Sequence, residues 1–214
     1  MAKRQSPTVA TRDPQRSREA LLSAAIDVFA RMGPHAATID EICQKAGLNK
    51  RLAYHYFGGK DGLYKSALKV VYNEFYCLEV ELGSMLLPAD ELLEVLVARY
   101  HEFLQSHPTF VNLISYENLN DARTASELNL KDQKAPVITA LRLALQKGQD
   151  EGKFRPNIDV HDLLISIFAL CFFYFSNHRT MEMLLGSQPL DPARMNDRIK
   201  HVVELLLSGI SVEK

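Results

Sequence analysis

Between Thr38 and Gly59 the chain opens and closes two helices in quick succession, and this punctuation restricts the possible folds more than any other feature of the sequence. Thr38-Ile39-Asp40-Glu41 has the Thr-x-x-Glu form of a capping box, in which a hydroxyl accepts from a backbone N–H and a carboxylate reaches back to the cap. Ala46-Gly47 ends that helix, Leu48-Asn49 restarts the chain, and a second short helix over about Asn49 to Tyr56 runs into Gly58-Gly59. Two short helices joined by a tight, glycine-containing turn have the form of a helix-turn-helix, whose second helix enters the major groove of DNA.

The rest of the chain follows the same helical period, and no stretch alternates at two residues between hairpin turn signals. Asp13-Pro14 announces a first helix with an N-cap aspartate and a proline at the first helical position, ending near Gly33-Pro34, with Leu21, Ala25, Val28 and Met32 on one face. From Lys60-Asp61 a helix to about residue 82 carries Tyr64, Leu68, Val71, Phe75, Leu78 and Leu82 at steps of three and four, a stripe that other helices must cover. Further helices are expected at about Ala89 to Ser106, Thr109 to Asn120 and Lys131 to Glu151, and the last two at about 159 to 185 and 191 to 210. The fold class is all-α.

Composition adds a division of labour. The 214 residues are 47% hydrophobic and carry a formal net charge of -1, which excludes a chain that is basic from end to end. Residues 1–69 nevertheless hold twelve Lys and Arg against six Asp and Glu, a net +6, while residues 70–214 hold thirteen against twenty, a net -7. A basic first third on an acidic remainder suits a polyanion-binding module joined to something with another task. Cys43, Cys77 and Cys171 lie far apart without a zinc spacing and read as reduced, buried, small apolar residues. The longest apolar run, Leu163 to Phe175, falls short of the roughly 20 residues a membrane span needs. Met1 to Pro7 has basic residues with no hydrophobic core behind them, so no export signal and no membrane partner are expected, and the location read from the sequence is the cytoplasm. Gly58-Gly59-Lys60-Asp61 lacks the glycine and Ser/Thr of a phosphate loop, since Tyr54 and Asp61 stand at those places. No GxSxG elbow or HExxH helix occurs; no catalytic residue, metal or cofactor is expected.

On the second short helix, positions 50, 51, 54 and 55 share one broad face. Lys50 and Arg51 there would approach base edges, Arg51 being suited to bidentate contact with guanine, while Tyr54, His55 and Lys60 would hold phosphates. Thr38 and the N–H groups at its helix start offer a further phosphate contact. The whole stretch from Thr38 to Leu63, embedded in residues 14 to 69, resembles the DNA-binding signature of TetR-family transcriptional regulators: Thr38, Ile42, Ala46-Gly47, Tyr54, Tyr56-Phe57, Lys60 and Leu63 fill its fixed places. It departs at Cys43, Asn49, Ala53 and Arg51, the last standing where many relatives have a small residue; Arg51 is then a base reader or one more phosphate contact.

The resemblance implies a three-helix DNA-binding domain over 1–60 and a larger helical effector-binding and dimerisation domain over 61–214. It makes Thr38, Asn49, Tyr54, His55 and Lys60 phosphate contacts and Lys50, Arg51 and Leu52 groove-facing positions, with Tyr56 and Phe57 left to a small core. It also implies that the last two long helices pair with those of a second copy in a four-helix bundle. Leu163, Ile167, Met195, Ile199, Val202 and Leu206 are the candidate dimer residues, burial within one chain being the alternative. The candidate effector pocket draws on Phe75, Leu78, Tyr100, Phe103, Phe110, Tyr116, Asn118, Phe168, Phe172 and Asn177, with Glu117, His178 and Arg179 as further polar anchors. The expected partners are double-stranded DNA with an inverted repeat, a small molecule and a second copy. The expected function is a repressor released by that small molecule. An activator, an effector-independent DNA binder and a helical protein serving another polyanion are the alternatives.

Overall fold

The computed structural model describes residues 13–128, 130, 135–186 and 188–212. The amino-terminal arm up to residue 12 and the expected helix start at Lys131 lie outside the described residues. The chain divides into two compact units, residues 1–68 and 69–214.

In the first unit, α1 spans Pro14–Ala36 with Asp13 as its cap, the carboxylate accepting from Gln15 N at 2.9 Å. The backbone leaves the helix at Gly33, immediately before Pro34, as expected from the steric bias against helical geometry ahead of proline. α2 covers Ile39–Ala46 and α3 covers Lys50–Phe57, each closed by a left-handed glycine, Gly47 and Gly58. Both halves of the expected capping box are present: Thr38 Oγ1 accepts from Glu41 N at 3.2 Å, and Glu41 Oε2 accepts from Thr38 N at 3.0 Å. α1 contributes Leu21, Ala25, Val28 and Phe29 to the core, α2 contributes Ile39 and Ile42, and the start of α4 (Lys60–Gly83) contributes Leu63, Tyr64 and Ala67. Phe29 and Tyr64 meet edge to face at 4.9 Å. Gly62 is required by contact: a Cβ there would lie 1.9 Å from the carbonyl oxygen of Phe57, so only glycine lets α4 start this close to the end of α3.

In the second unit, α5 (Ala89–Ser106) buries Leu92, Leu93, Leu96, Val97, Tyr100 and Leu104, the stripe of a helix covered by several neighbours. It packs against α6 (Pro108–Leu119), α7 (Ala135–Asp150), α8 (Val160–Ser176) and α10 (Pro192–Ile210). A short 3-10 turn, Ala125–Leu128, follows α6. The expected single helix over 159 to 185 is two helices, α8 and α9 (His178–Leu185), meeting at 71° around Asn177. The apolar run of α8 gave no stop signal, whereas α9 has no buried residue and nothing to hold it in line with α8. The carboxy end of α10 is tied to the turn after α7 by Arg155 N to Ile210 O at 2.8 Å and Val212 N to Lys153 O at 3.1 Å. Cys43 and Cys171 are buried as expected, but Cys77 is exposed on the polar side of α4. Among the described residues no single helix is long and apolar enough to cross a membrane.

Candidate functional site

The recognition surface is built by a helix that buries almost nothing. α3 is anchored by Ala53, its one fully buried residue, against α1 and α2, and the small side chain lets the helix lie close to them. Lys50, Arg51, Tyr54 and His55 are exposed on one face, while Leu52, Tyr56 and Phe57 are half-buried. Arg18 of α1 lies over the Phe57 ring at 5.3 Å, in keeping with Phe57 as a packing residue. Asn49, itself exposed, caps α3 by accepting from Leu52 N at 3.1 Å, so its amide oxygen is engaged.

Besides Asn49, three of the expected DNA contacts have partners inside the unit. Lys50 Nζ lies 2.5 Å from Asp40 Oδ1 of α2, an exposed pair that holds the ammonium above its ordinary pKa through the hydrogen bond and charge of Asp40. Exposed pairs of this kind contribute little in water, so a phosphate or base edge can displace Asp40. Lys60 Nζ donates to the carbonyls of His35 and Ala37 at 3.2 and 3.1 Å, tying α4 to the end of α1. Thr38 Oγ1 is likewise committed to the capping box. Asp40 was missed in the sequence; its place in the first turn of α2, beside the turn leading to Lys50, is the signal that points to it.

The second unit gathers most of the expected pocket residues into one aromatic cluster. The Phe75 ring lies 4.9 to 5.6 Å from those of Tyr100, Phe103, Phe110 and Phe168, and Phe168 stacks on Phe172 at 5.4 Å. Leu78 is buried, Tyr116 and Asn177 are half-buried, and Asn118 is exposed with its amide on Ile114 O. Glu117 is buried but accepts from Ala125 N at 2.7 Å, which makes it a cap for the following turn. Among the polar groups around the cluster, Tyr100 was expected from the sequence, whereas Glu79 and Tyr72 were passed over. Tyr100 OH donates to Glu79 Oε1 at 2.5 Å with Glu79 wholly buried, and burial followed by the Glu79 charge pushes the phenol well above its ordinary pKa. Glu79 stands four residues after Phe75 and three before Leu82, so a carboxylate on the apolar stripe was the available sign. Tyr72, 6.3 Å from Phe110, is pushed up to about 12, chiefly by burial and then by Glu117.

The expected dimer residues lie on the helices expected to pair, α8 and α10. Leu163, Ile167, Met195, Val202 and Leu206 are buried within their own chain and Ile199 is half-buried. The stripes that single them out are the sides by which α8 and α10 pack inward. The outward side of α8 carries Ile165, Ala169 and Phe173, and that of α10 carries Leu205; Ile165 is 65% exposed and Phe173 53%. Asp162, Leu163 and Ser166 of α8, Leu205, Leu206 and Gly209 of α10 and the loop before α8 line a groove of about 340 Å³, so Leu163 and Leu206 border it as well, and a side chain at Gly209 would meet open space. Among the described residues no three His, Cys, Asp or Glu side chains form a metal-binding group.

Residues 21–67 match the bacterial regulatory proteins of the tetR family, and residues 89–206 match the tetracyclin repressor-like C-terminal domain. The transcriptional repressor NicS of Pseudomonas putida is 32% identical over 196 residues, covering 91% of this chain and 92% of its own. The transcriptional repressor SCO4008 of Streptomyces coelicolor is 27% identical, covering 90% and 95%. In fold, the regulator FadR from Bacillus subtilis, solved with stearoyl-CoA, superposes with a TM-score of 0.64 at 19% identity, covering 90% and 98%.

Proposed function

The chain belongs to the tetR family of helix-turn-helix transcriptional regulators, and from that premise we propose that it is a repressor, acting in the cytoplasm as a homodimer whose second unit answers to a small molecule. The observation that carries the reading is the exposed polar face of α3, where Lys50, Arg51, Tyr54 and His55 stand together on a helix held by one buried alanine. Arg51, with no ion-pair partner to displace among the described residues, reads a guanine edge; Lys50 exchanges Asp40 for DNA; Tyr54, His55 and the N–H groups at the start of α2 fix the backbone. Thr38 acts through the capping box that takes its hydroxyl proton, and Asn49 through its cap, with its NH2 left to donate to a phosphate. Leu52 and Lys60 position the helix.

A second copy meets the outward sides of α8 and α10 around Ile165, Phe173 and Leu205, which sets two α3 helices about 34–36 Å apart for successive turns of an inverted repeat. A compound held against the part of α4 in the second unit biases that helix, whose start belongs to the DNA-binding unit. A tenfold loss of operator affinity needs a coupling of about 1.4 kcal/mol. The close ring packing around Phe75 favours one other reading, a regulator that needs no effector.

A promoter carrying a DNA site that the chain retains from a random pool of duplexes, placed before a reporter gene, tests the reading. The chain should silence it, and Arg51→Ala should restore expression while weakening specific binding by about 1–3 kcal/mol at one operator position. Equal weakening on every DNA sequence would remove the base-reading role from Arg51. A library of small molecules read by both melting midpoint and operator release then separates the two readings: an effector-free regulator is stabilised by none of them.

A further inference from the structure

One polar cluster in the second unit is unused by the account above. His101 of α5 is 1% exposed, and its Nδ1 lies 2.8 Å from Val97 O, so Nδ1 carries the proton and Nε2 presents a lone pair with no hydrogen-bond partner. Arg198 of α10 reaches inward to donate from Nη2 to Leu170 O at 3.3 Å, and its Nε is buried without a partner. Both groups flank the same ring: Tyr174 of α8 lies 6.0 Å from the His101 ring and 5.7 Å from the Arg198 guanidinium carbon. The Tyr174 hydroxyl is taken by the carbonyl of Pro189. The other titratable groups around this point are Cys171, Arg194 and the carboxylate of Asp191, which acts on Tyr174, with the Glu79–Tyr100 pair beyond Cys171; among the described residues no ion pair joins Arg198 to a carboxylate.

We propose that Arg198 and His101, both beside Tyr174, form the recognition point for the carboxylate of a small organic acid held between α5, α8 and α10. The inference rests on the effector reading above and names the chemical class of the effector. Among the described residues Arg198 makes one hydrogen bond, to a backbone carbonyl; its buried Nε costs desolvation without a partner, and its planar fork matches a carboxylate through two parallel N–H groups. A neutral His101 would turn its Nε2 lone pair toward that carboxylate, so His101 takes up one proton as the anion binds, and Nε2–H then donates to it. In atoms, the site receives one carboxylic acid: the anion goes to Arg198 and the proton to His101. The rings of Tyr174 and Phe175, the latter 5.6 Å from His101, offer the acid an apolar flank.

The test uses the full chain and three acids, acetate, benzoate and octanoate, each beside its uncharged amide. Titration calorimetry in two buffers of different ionisation enthalpy gives the affinity and the protons taken up. At least one carboxylate should bind about tenfold or more tightly than its amide with uptake close to one proton. Arg198→Met should abolish that preference, and His101→Phe should abolish the proton uptake. Arg198→Met, which replaces an uncompensated charge by an apolar stem, should fold with an unchanged or raised melting midpoint. The proposal falls if no carboxylate outbinds its amide on the parent chain, a comparison that needs no variant, or if the preference survives Arg198→Met. Operator affinity read in parallel separates the two levels. Carboxylate binding through Arg198 without operator release keeps this site and overturns the effector reading, while operator release by a neutral compound, with no carboxylate bound, does the reverse.

Discussion

Lys60→Met asks whether an ammonium group at the edge of the DNA-binding unit is a structural tie or a spare charge. Its Nζ donates to the carbonyls of His35 and Ala37, in the stretch where α1 leaves its helix after Gly33. Hydrogen bonds from a charged donor contribute roughly 1.5–3 kcal/mol each, and carbonyls partly open to water sit at or below the bottom of that range. Methionine keeps the stem and removes the charge, so the pair of bonds is expected to be worth about 2 kcal/mol. In a chain of this size 1 kcal/mol moves the melting midpoint by about 2–4 °C, giving a fall of about 4–8 °C for cooperative melting. Circular dichroism on heating measures it, with DNA affinity followed against salt on the same samples. The third N–H of Lys60 is able to meet one phosphate, so the slope of log affinity against log salt changes by at most about 0.9. A midpoint within about 1 °C of the parent, together with a slope flatter by that amount, would refute the tie and make Lys60 a phosphate contact alone.

Three further outcomes follow from the same structure. Asp40→Asn removes a carboxylate that competes with DNA for Lys50, and affinity for any duplex should rise, most at low salt; unchanged affinity in an anisotropy titration would mean that Lys50 does not face the nucleic acid. Leu205→Glu leaves the buried face of α10 intact and should give folded monomers in sedimentation, whereas Val202→Glu, at a wholly buried position, should unfold the chain; a Leu205→Glu dimer would exclude the outward groove as the contact. Burial, opposed by the Val97 hydrogen bond and reinforced by Arg198, holds His101 below its ordinary value of 6.5. The unfolded chain therefore takes its proton first as pH falls, so this contribution to stability is complete above about pH 6.5 and is lost as the pH drops through that value. Melting at about pH 7.5 and 5.5 should show the fall, and His101→Phe should diminish it; an undiminished fall would assign it to other groups.

What the sequence made legible was local. Thr38 with Glu41, Asn49 with Leu52, and the glycine stops at Gly47 and Gly58 are written within three or four residues, and the structure repeats them bond for bond. The shared face of Lys50, Arg51, Tyr54 and His55 follows from the helical period alone. What stayed hidden depends on tertiary contact. α8 is apolar on nearly every side, so its sequence does not say that Leu163 and Ile167 turn inward while Ile165 and Phe173 turn out. The tie from Lys60 to His35 spans twenty-five positions and leaves no periodic trace. Buried polar groups such as Glu79, His101 and Arg198 interrupt apolar stripes one at a time, and a single interruption reads as a surface position until the neighbouring helix is in place.

The central claim is that two copies of α3 read an inverted repeat. Selection of duplexes from a random pool by the purified chain at physiological salt, followed by sequencing of what is retained, tests it most directly. The account predicts an enriched palindrome with half-sites about one helical turn apart, and loss of preference at one symmetric pair of positions for Arg51→Ala. Retention of duplexes with no shared sequence, or of a single unrepeated half-site, by folded protein would contradict it.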